Sequence, residues 1–419
     1  MRLVRNGPPS ESGLTSRSVA GAIFVVPGSS RPDQGPVAGL VSTAGWAGAT
    51  ERILGRAWVV TPTAVLTPEQ ARQWGSDRNL RSPERAGLRR WSPTVAKTAA
   101  RDLLQWRASR RFEVDPHGPW TDGGVTFVWQ RHELFYSPGP RLARRLGVAS
   151  VLFVPAAKVW EANQWGTKRP GWDRWLERRV ERPALQRADV VACGSEAVAE
   201  QVLRIGMPEE RVVPTPTGVD LDLFAELPDP TPLRRRLGLG GRFVVGWVGS
   251  FRRFHALEQA VRAAAGVPGS HLLLVGDGPE RARIERLAAD AGVPATFTGT
   301  VPHAELPGYL AAMDTAVVLA PPRQAFHYSP LKVAEYLAAG RPVVAPAVGQ
   351  LADRLTDGVD AVLVPAGDSA ALEAALRRLQ SDPEERARLG KAARAAAETS
   401  WSWDDQVRRV VAAVRRWGP

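Results

Sequence analysis

Short apolar runs alternate with longer amphipathic stretches along the whole chain. Apolar runs of about four to eight residues are typical of buried strands, and amphipathic stretches with helical spacing are typical of helices that pack on a sheet. This alternation predicts an α/β fold with parallel sheets. In the first half the predicted strands are Ala22–Pro27, Ala57–Thr61, Val125–Trp129, Ser150–Pro155, Val190–Cys193 and Val212–Pro214. In the second half they are Phe243–Val248, His271–Val275, Ala295–Thr298, Ala316–Leu319, Pro342–Pro346 and Ala361–Val364.

The amphipathic stretches predict the helices that cover these sheets. In the first half they include Thr94–Arg110 and Trp172–Gln186. In the second half they include Ala256–Ala265, Pro279–Ala291, His303–Met313, Ser369–Leu379 and Pro383–Glu398.

A connection between the two halves lies at Leu227–Gly241, which is Pro-rich at its start and Gly-rich at its end. Such a composition is typical of an inter-domain segment. We therefore predict a Rossmann-like domain over residues 1–232, a second over residues 233–402, and a final helix over residues 403–419 that packs back on the first domain. We expect ligands to bind each parallel sheet at the carboxyl ends of its strands.

The composition is that of a folded protein, with 44% hydrophobic and 23% charged residues among 419. The single cysteine, Cys193, excludes an intrachain disulfide and indicates a reducing compartment. Met1–Pro8 lacks the apolar core of a signal peptide, and the longest apolar stretch, Val37–Thr50, is too short to span a bilayer. We expect a cytoplasmic protein, with peripheral contact at the inner face of the membrane left open.

The formal net charge of +12 is compatible with three kinds of partner: nucleic acid, an anionic membrane or an anionic substrate. Nucleic acid is the weakest of these, because the chain has no Lys-rich tail and no zinc-finger spacing. An alternative without functional meaning also stays open. The Arg, Ala, Pro and Gly bias is that of a GC-rich, bacterial-like genome, which raises the charge by itself.

The segment around residues 326–342 predicts a short helix with an anion site at its start. Ser329 is a good N-cap, Pro330 fits the first helical position, and Gly340 suits a left-handed C-terminal position. Lys332 lies in the first turn, where free amide groups and the helix dipole also attract phosphate. Glu335 follows on the same face and is placed to hold sugar hydroxyl groups. The alternative is an ordinary surface pair between these two side chains.

Four loops in the second half follow predicted strands: Val248–His255, Gly276–Glu280, Gly299–His303 and the helix start at Ser329–Glu335. The first contains small residues and two arginines, whose planar guanidinium groups suit phosphate. The third offers backbone groups to the edge of a base. Any one of these loops is explained by structure alone. Together, at the strand ends of one domain, they predict a nucleotide diphosphate site without a P-loop or a metal motif.

The second half resembles the nucleotide-binding domain of GT-B glycosyltransferases, in particular glycosyltransferase family 4. The segments that carry this resemblance are residues 246–252 (Gly-Trp-Val-Gly-Ser-Phe-Arg), 272–279 (Leu-Leu-Leu-Val-Gly-Asp-Gly-Pro), 297–303 (Phe-Thr-Gly-Thr-Val-Pro-His) and 329–345. They occur in the family's order and spacing, and the likeness covers about residues 186–400. The resemblance implies two Rossmann-like parallel-sheet domains facing a cleft, with an acceptor-side N-terminal domain and a C-terminal domain that binds a nucleotide sugar.

The resemblance also implies roles for residues in the first three loops. Arg252 matches the arginine that neutralises the donor diphosphate, with Arg253 as the alternative. Gly249 and Ser250 lie in the loop beside it. Val301 resembles the residue whose backbone meets the base.

In the fourth segment, Ser329, Pro330 and Leu331 match the helix start that faces the phosphates. Glu335 matches the second glutamate of the family's paired motif, which holds the ribose. The first glutamate of that pair is replaced by His327, at a position that contacts the transferred sugar.

A second departure from the family concerns positive charge. The lysine usual after the arginine loop is absent, and His255 stands near its place. We expect Lys332 to supply the missing charge.

The first half offers fewer family-like features. Gly35, ahead of the helical stretch Val37–Leu54, is a candidate for the glycine loop that approaches the donor phosphates. His132 follows a predicted strand and is a candidate catalytic group in the cleft, with a partly exposed loop histidine as the alternative. Asp220 and Asp222 form an Asp-x-Asp sequence that we interpret as structural, with no metal expected.

Acceptor candidates come from the aromatic and charged segment that follows the strand ending at Pro155. They are Trp160, Glu161 and Trp165, since aromatic faces suit sugar rings and a carboxylate orients a hydroxyl group. Trp172 and Trp175 fit better as packing residues of an amphipathic helix. The same basic, Trp-bearing surface is compatible with an anionic membrane, with a solvated face as the simpler interpretation.

The expected function is transfer of a sugar, a hexose or related group, from a nucleotide diphosphate to an acceptor hydroxyl. By resemblance, the transfer retains anomeric configuration and needs no metal or other cofactor; Arg252, Lys332 and His132 are the catalytic candidates. The expected acceptor is a small molecule, a glycan or a lipid-linked molecule, and no nucleic acid is expected. Two alternatives stay open: a non-glycosidic coupling on the same fold, and a sugar-nucleotide-binding protein without catalysis that serves as partner to an active transferase.

Overall fold

The computed structural model describes residues 20–27, 38–76, 94–122, 124–164, 167, 169–322 and 331–419. Within them the chain forms two α/β domains, each built on its own sheet. The predicted fold class is confirmed. Each domain has helices between parallel strands, because the apolar runs supply buried strands and the amphipathic stretches supply helices to cover them.

The first sheet has seven strands in the order β3-β2-β1-β4-β5-β6-β7. All neighbours are parallel except the short pair β2 and β3. The strands are β1 (Ala20–Val25), β2 (Gly55–Val60), β3 (Val65–Leu66), β4 (Gly124–Arg131), β5 (Ala149–Val154), β6 (Val190–Cys193) and β7 (Val212–Pro214). The helices are α1 (Ala38–Leu54), α2 (Pro68–Ser76), α3 (Thr94–Ser109), α4 (Pro138–Leu146), α5 (Lys158–Gln164), α6 (Asp173–Leu176), α7 (Arg182–Gln186) and α8 (Glu196–Ile205).

The second sheet has six parallel strands in the order β10-β9-β8-β11-β12-β13. They are β8 (Phe243–Val248), β9 (Ser270–Val275), β10 (Ala295–Gly299), β11 (Thr315–Val317), β12 (Val343–Pro346) and β13 (Val362–Val364). The helices are α9 (Pro230–Arg236), α10 (Glu258–Ala265), α11 (Arg281–Asp290), α12 (Leu306–Ala311), α13 (Leu331–Ala338), α14 (Gly349–Arg354), α15 (Ser369–Ser381), α16 (Pro383–Ser400) and α17 (Trp403–Trp417).

Two predicted helices differ from the observed ones. The stretch Trp172–Gln186 contains a π-helical turn, Glu177–Glu181, between α6 and α7. The stretch His303–Met313 begins with a 3₁₀ turn and becomes α-helical only at Leu306. Apolar periodicity does not distinguish these helix types, because the choice depends on which backbone and side-chain groups are bonded nearby.

The final helix, α17, packs against α1 and the sheet of the first domain. Trp403, at its start, is buried, and its ring centroid lies 5.6 Å from that of Trp46. The approach is close: a Cβ at Gly45 would lie 2.2 Å from Trp403 Nε1. The absence of a side chain at Gly45 therefore lets the helix that ends the chain seat against the first domain.

A polar cluster lies where the two domains meet. Arg72 Nη2 donates to Asp220 Oδ2 over 2.7 Å, and Arg52 Nη1 lies 3.8 Å from Asp220 Oδ1 and 3.9 Å from Asp222 Oδ2. Both carboxylates of the Asp-x-Asp sequence thus face guanidinium groups. The same edge borders a narrow cavity lined from the other domain by His303 and Glu335.

Candidate functional site

The loop after β8 is fastened to the loop after β9 by backbone hydrogen bonds. Gly249 N–H donates to the backbone carbonyl oxygen of Val275 over 2.9 Å, and Phe251 N–H donates to that of Asp277 over 3.0 Å. A Cβ at Gly276 would lie 1.9 Å from the Gly249 carbonyl oxygen, so glycine is required there. The two loops therefore form one rigid rim at the carboxyl ends of the strands.

Two arginines project from this rim. Arg252 and Arg253 are exposed, and neither guanidinium group makes a hydrogen bond or ion pair with any other residue described in the structure. Ser250 beside them is also exposed. Surface arginines commonly pair with a nearby carboxylate. Because these two do not, their guanidinium groups are available to an anionic ligand.

The helix α13 approaches the same rim and is held there by a buried tyrosine. Tyr336 Oη accepts a hydrogen bond from Val248 N–H over 2.7 Å. One turn earlier, Lys332 Nζ lies 3.9 Å from the centre of the Trp247 ring. It also lies 2.8 Å from the point that a Cβ at Gly249 would occupy. The structure thus places Lys332 against the loop that carries Arg252.

The electrostatics confirm that these cations share one region. Burial lowers the pKa of Lys332 to about 7, opposed by the charge of Glu335. The pKa of His255 is lowered to about 2, first by burial and then by the positive charges of Lys332 and Arg252. Its imidazole is therefore neutral. Positive charge that helps to keep a neighbouring imidazole neutral also favours an incoming anion.

Glu335 is buried and lies against a histidine that the sequence did not connect with it. Its Oε1 lies 2.7 Å from His303 Nε2. Burial by itself lowers the pKa of His303, but the hydrogen bond and charge of Glu335 outweigh burial and raise it above its usual value. His303 follows β10 and Glu335 lies on α13, so the pair joins two of the four predicted loops.

Val301, predicted to meet the base, is partly buried, and its side chain packs against the core of its domain. Its backbone N–H and C=O make no hydrogen bond to the residues that the structure describes. A base edge therefore has an unused donor and acceptor available at this strand end. Leu331 begins α13 and lines the cavity between the domains.

His132, directly after β4, is fully buried, so the alternative of a partly exposed loop histidine is wrong. Its Nε2 lies 3.0 Å from Glu181 Oε1, and Nδ1 has no partner among the described residues. Glu181 also accepts from the N–H groups of Lys158 and Val159 at the start of α5. In this conformation His132 does not lie open in the cleft, and its catalytic role stays a prediction.

Glu181 is a residue that sequence reasoning missed. Burial by itself raises the pKa of its carboxyl, but the hydrogen bond and charge of His132 and the two α5 amides outweigh it and lower the pKa. The π-helical turn Glu177–Glu181 brings this carboxylate under α5, which carries the acceptor candidates Trp160 and Glu161. No local pattern predicts a π turn, so the only signal was an acidic residue within a basic helix.

A second missed residue is Arg131, the last residue of β4. Its guanidinium carbon lies 6.0 Å from the Phe153 ring centre, and it makes no hydrogen bond or ion pair with the described part of the chain. Burial lowers its pKa, opposed by the charges of Glu133 and Glu161. A cation in this position faces the cleft edge of the first sheet.

A cavity of about 420 Å³ lies beside these residues at the carboxyl ends of β4 and β5. Lys158 Nζ sits between two carboxylates, 3.3 Å from Glu161 Oε2 and 3.6 Å from Glu133 Oε1. The polar lining residues are Arg101, Gln105, Glu133, Lys158, Glu161, Thr167 and Arg169. Trp160 is partly buried and packs against the adjacent core rather than lining this cavity.

Five predicted site residues lie outside the described residues: Gly35, Trp165, His327, Ser329 and Pro330. Their roles stay predictions. Among the predicted residues that are described, Gly249, Ser250, Arg252, Arg253 and Lys332 come together at one rim, as shown above.

The pair of Rossmann-like domains and this rim are features of the GT-B glycosyltransferase class. Residues 55–223 match Glycosyltransferase Family 4, and residues 242–382 match Glycosyl transferases group 1. The chain therefore belongs to the group 1, family 4 glycosyltransferases. The family resemblance predicted from the motifs is confirmed.

Curated relatives agree with this assignment. The chain is 33% identical over 262 residues to the 2-deoxystreptamine N-acetyl-D-glucosaminyltransferase of Streptomyces fradiae, covering 59% of this chain and 60% of the relative. It is 32% identical over 243 residues to a GDP-mannose-dependent alpha-(1-6)-phosphatidylinositol monomannoside mannosyltransferase of Mycolicibacterium smegmatis, covering 55% of this chain and 64% of the relative. The matches thus span less than two thirds of each relative's length.

Solved structures show the same architecture. Anabaena Alr3699/HepE in complex with UDP superposes with a TM-score of 0.62 at 16% identity, covering 94% of this chain and 99% of that one. At this identity the likeness establishes the fold alone. Among the helices that the structure describes, none combines the length and apolar character needed to traverse a bilayer.

Proposed function

We propose that this protein transfers a sugar from a nucleotide diphosphate to an acceptor hydroxyl group bound in the cleft. The observation that carries the proposal is the position of Lys332 Nζ against Gly249, in the loop that also presents the unpaired Arg252. Two cations directed at one point suit a pyrophosphate better than any neutral ligand.

The proposed chemistry depends on stabilising the leaving group. Breaking the anomeric C–O bond leaves its electron pair on the departing diphosphate, where negative charge grows. Arg252 and Lys332 supply preorganised positive charge there, with Arg253 as a further donor. Such electrostatic stabilisation is often the largest contribution to catalysis. We propose that these side chains do this without a metal ion, since both carboxylates of the Asp220–Asp222 sequence already face arginines.

The stereochemical proposal rests on the family resemblance. The acceptor oxygen forms a bond to the anomeric carbon on the face that the diphosphate leaves, so the configuration is retained. The acceptor hydroxyl proton passes to an oxygen of the departing phosphate. No side chain of the chain needs to act as the base, in accord with the burial of His132. Closure of the domains excludes water from this step.

The nucleotide-sugar donor is supported by two comparisons. One curated relative is named GDP-mannose-dependent, and a structure with the same fold was solved with UDP. In this chain we assign the base to the free backbone groups of Val301 and the ribose to Glu335. His303, which already bonds to Glu335, would orient that carboxylate toward the ribose hydroxyl groups.

The acceptor is proposed to occupy the cavity beside β4 and β5. Its centre is the cluster in which Lys158 bridges Glu133 and Glu161, so charges of both signs line it. Such a lining suits a polyhydroxylated molecule, because hydroxyl groups both donate to carboxylates and accept from ammonium and guanidinium groups. Glu161 keeps its predicted role of orienting the reacting hydroxyl.

The test is turnover of a panel of nucleotide sugars, read as release of the free nucleotide with and without polyol acceptors. We expect at least one donor to be consumed. Arg252→Ala should lower its rate by about 10²–10³-fold. The matched control is Arg262→Ala, an exposed arginine of α10 on the same domain, which should leave the rate unchanged. Binding of nucleotide without turnover of any donor would contradict the proposed function.

A further inference from the structure

Helix α3 exposes an unusual group of large apolar side chains. Leu104 is 64% exposed, Leu103 46% and Trp106 40%. These three make up half of the large apolar side chains that are exposed in the described part of the chain. Their concentration on one helix distinguishes this surface from the scattered apolar residues that every protein exposes.

Three exposed arginines lie on the last turn of this helix or directly after it, ahead of the exposed Glu113 and Asp115. Arg107, Arg110 and Arg111 are exposed, and no ion pair joins them to a described residue. The guanidinium carbon of Arg110 lies 4.7 Å from the Trp106 ring centre. The helix has one acidic residue, Asp102, and it is buried.

Asp102 does not offset this surface charge, because it is fully engaged inside the domain. Both of its carboxylate oxygens accept from the buried Arg169, at 2.8 and 3.0 Å, and Oδ2 also accepts from Trp172 Nε1 at 3.1 Å. These bonds fix the inner side of α3 to the segment before α6. The outer side is therefore held in place with its apolar and cationic residues toward solvent.

We propose that the outer surface of α3 and of the turn that follows it, formed by Leu103, Leu104, Trp106, Arg107, Arg110 and Arg111, docks on an anionic lipid bilayer. Apolar side chains flanked by unpaired cations suit an interfacial helix, because the apolar side chains enter the acyl boundary while the arginines reach the phosphate groups. Charge complementarity thus favours lipid.

The location of α3 connects this surface with the proposed acceptor cavity. Arg101 and Gln105, on another side of the same helix, line that cavity. Docking would therefore bring the cavity to the membrane surface, where a lipid-linked acceptor presents its polar group. This last connection rests on the proposed function, whereas the docking itself does not.

The test is co-sedimentation of the full chain with vesicles of mixed phosphatidylcholine and phosphatidylglycerol, compared with vesicles of phosphatidylcholine alone. We expect sedimentation only with the anionic vesicles, and weaker binding as salt rises. Each cation near such a surface increases the membrane-binding constant about fivefold. Arg107→Glu/Arg110→Glu should therefore weaken binding more than tenfold.

Two further variants separate lipid docking from general charge attraction. Arg235→Glu/Arg236→Glu, on α9, makes the same charge change on exposed arginines elsewhere and should bind as the native protein does. Leu103→Ser/Leu104→Ser keeps every charge and should weaken binding severalfold, because apolar insertion is lost.

Three results would overturn the proposal. The first is no sedimentation with anionic vesicles, and the second is equal loss of binding in the α9 control. The third is self-association that Leu103→Ser/Leu104→Ser abolishes while vesicle binding is absent, which would make this surface an interface between copies of the chain. None of these measurements uses turnover, so failure of the docking proposal and failure of the proposed function are distinguishable.

Discussion

Lys332 Nζ lies 3.9 Å above the Trp247 ring, and burial lowers the pKa of this lysine to about 7. A bound diphosphate would stabilise the ammonium form, so binding takes up a proton wherever Lys332 is neutral in the free protein. We predict that affinity for a nucleoside diphosphate falls as pH rises above 7, by up to tenfold per pH unit. Calorimetric titration between pH 7 and pH 9 measures this slope.

The control for that slope is Lys332→Arg, because a guanidinium group stays charged over the whole interval. Its affinity should change little with pH. Equal slopes in the native protein and this variant would show that Lys332 does not titrate in contact with the ligand.

The same pKa shift has a consequence for folding stability. Because the folded-state pKa lies below that of the unfolded chain, the unfolded state binds more protons between pH 7 and the usual lysine range. The cost of burying the ammonium group is fully present below pH 7 and is relieved as pH rises. Lys332→Met should therefore stabilise the protein more at pH 6 than at pH 9. Urea unfolding at the two pH values tests this; an equal effect at both contradicts it.

The His303–Glu335 pair predicts the opposite dependence on pH. The pKa of His303 is raised in the folded state, so its stabilisation is fully present below the unfolded pKa and is lost as pH rises through the folded pKa. His303→Gln should cost about 1.5–3 kcal/mol at pH 5.5, the range for a hydrogen bond to a charged group, and less at pH 8.5. Unfolding free energies at both values provide the measurement. A cost that does not fall with pH would mean that the imidazole is not charged in the folded protein.

Seating of α17 on α1 predicts a contrast between two glycines of one helix. A Cβ at Gly45 meets Trp403 at 2.2 Å, whereas a Cβ at Gly48 meets only an arginine nitrogen at 3.6 Å. Gly48→Ala should be neutral or stabilising by up to about 1 kcal/mol, since alanine favours helix. Gly45→Ala gains the same propensity but must displace Trp403, so we expect net destabilisation. Thermal unfolding of both variants measures this contrast. A Gly45→Ala variant that is more stable than the native protein would show that α17 does not pack tightly on α1.

The sequence predicted those parts of the fold and site that depend on local pattern. The strands Val190–Cys193, Val212–Pro214 and Phe243–Val248 have the predicted bounds, because continuous apolar runs between turn residues leave little choice. The left-handed Gly340, at φ of 59°, follows α13 as predicted. Loops placed at the ends of parallel strands also converged, since strand order brings them to one edge.

The parts that the sequence could not predict depend on partners distant in the chain. The carboxylate of Glu335 is bonded to His303 and that of Glu181 to His132 across many intervening residues, and no periodicity encodes such pairs. The burial of His132 was missed for the same reason. Its exposure is decided by the π-helical turn that places Glu181 over it, which is a tertiary outcome rather than a local preference.

The measurement that tests the central claim most directly compares a nucleoside diphosphate with its nucleoside. The native protein, Lys332→Met and Arg262→Ala are titrated calorimetrically with UDP, GDP, ADP and dTDP and with the four nucleosides. The account predicts that at least one diphosphate binds the native protein and the Arg262→Ala control equally, and Lys332→Met at least tenfold more weakly. The matching nucleoside should not distinguish the three proteins. Diphosphate affinity that is unchanged in Lys332→Met would contradict the account.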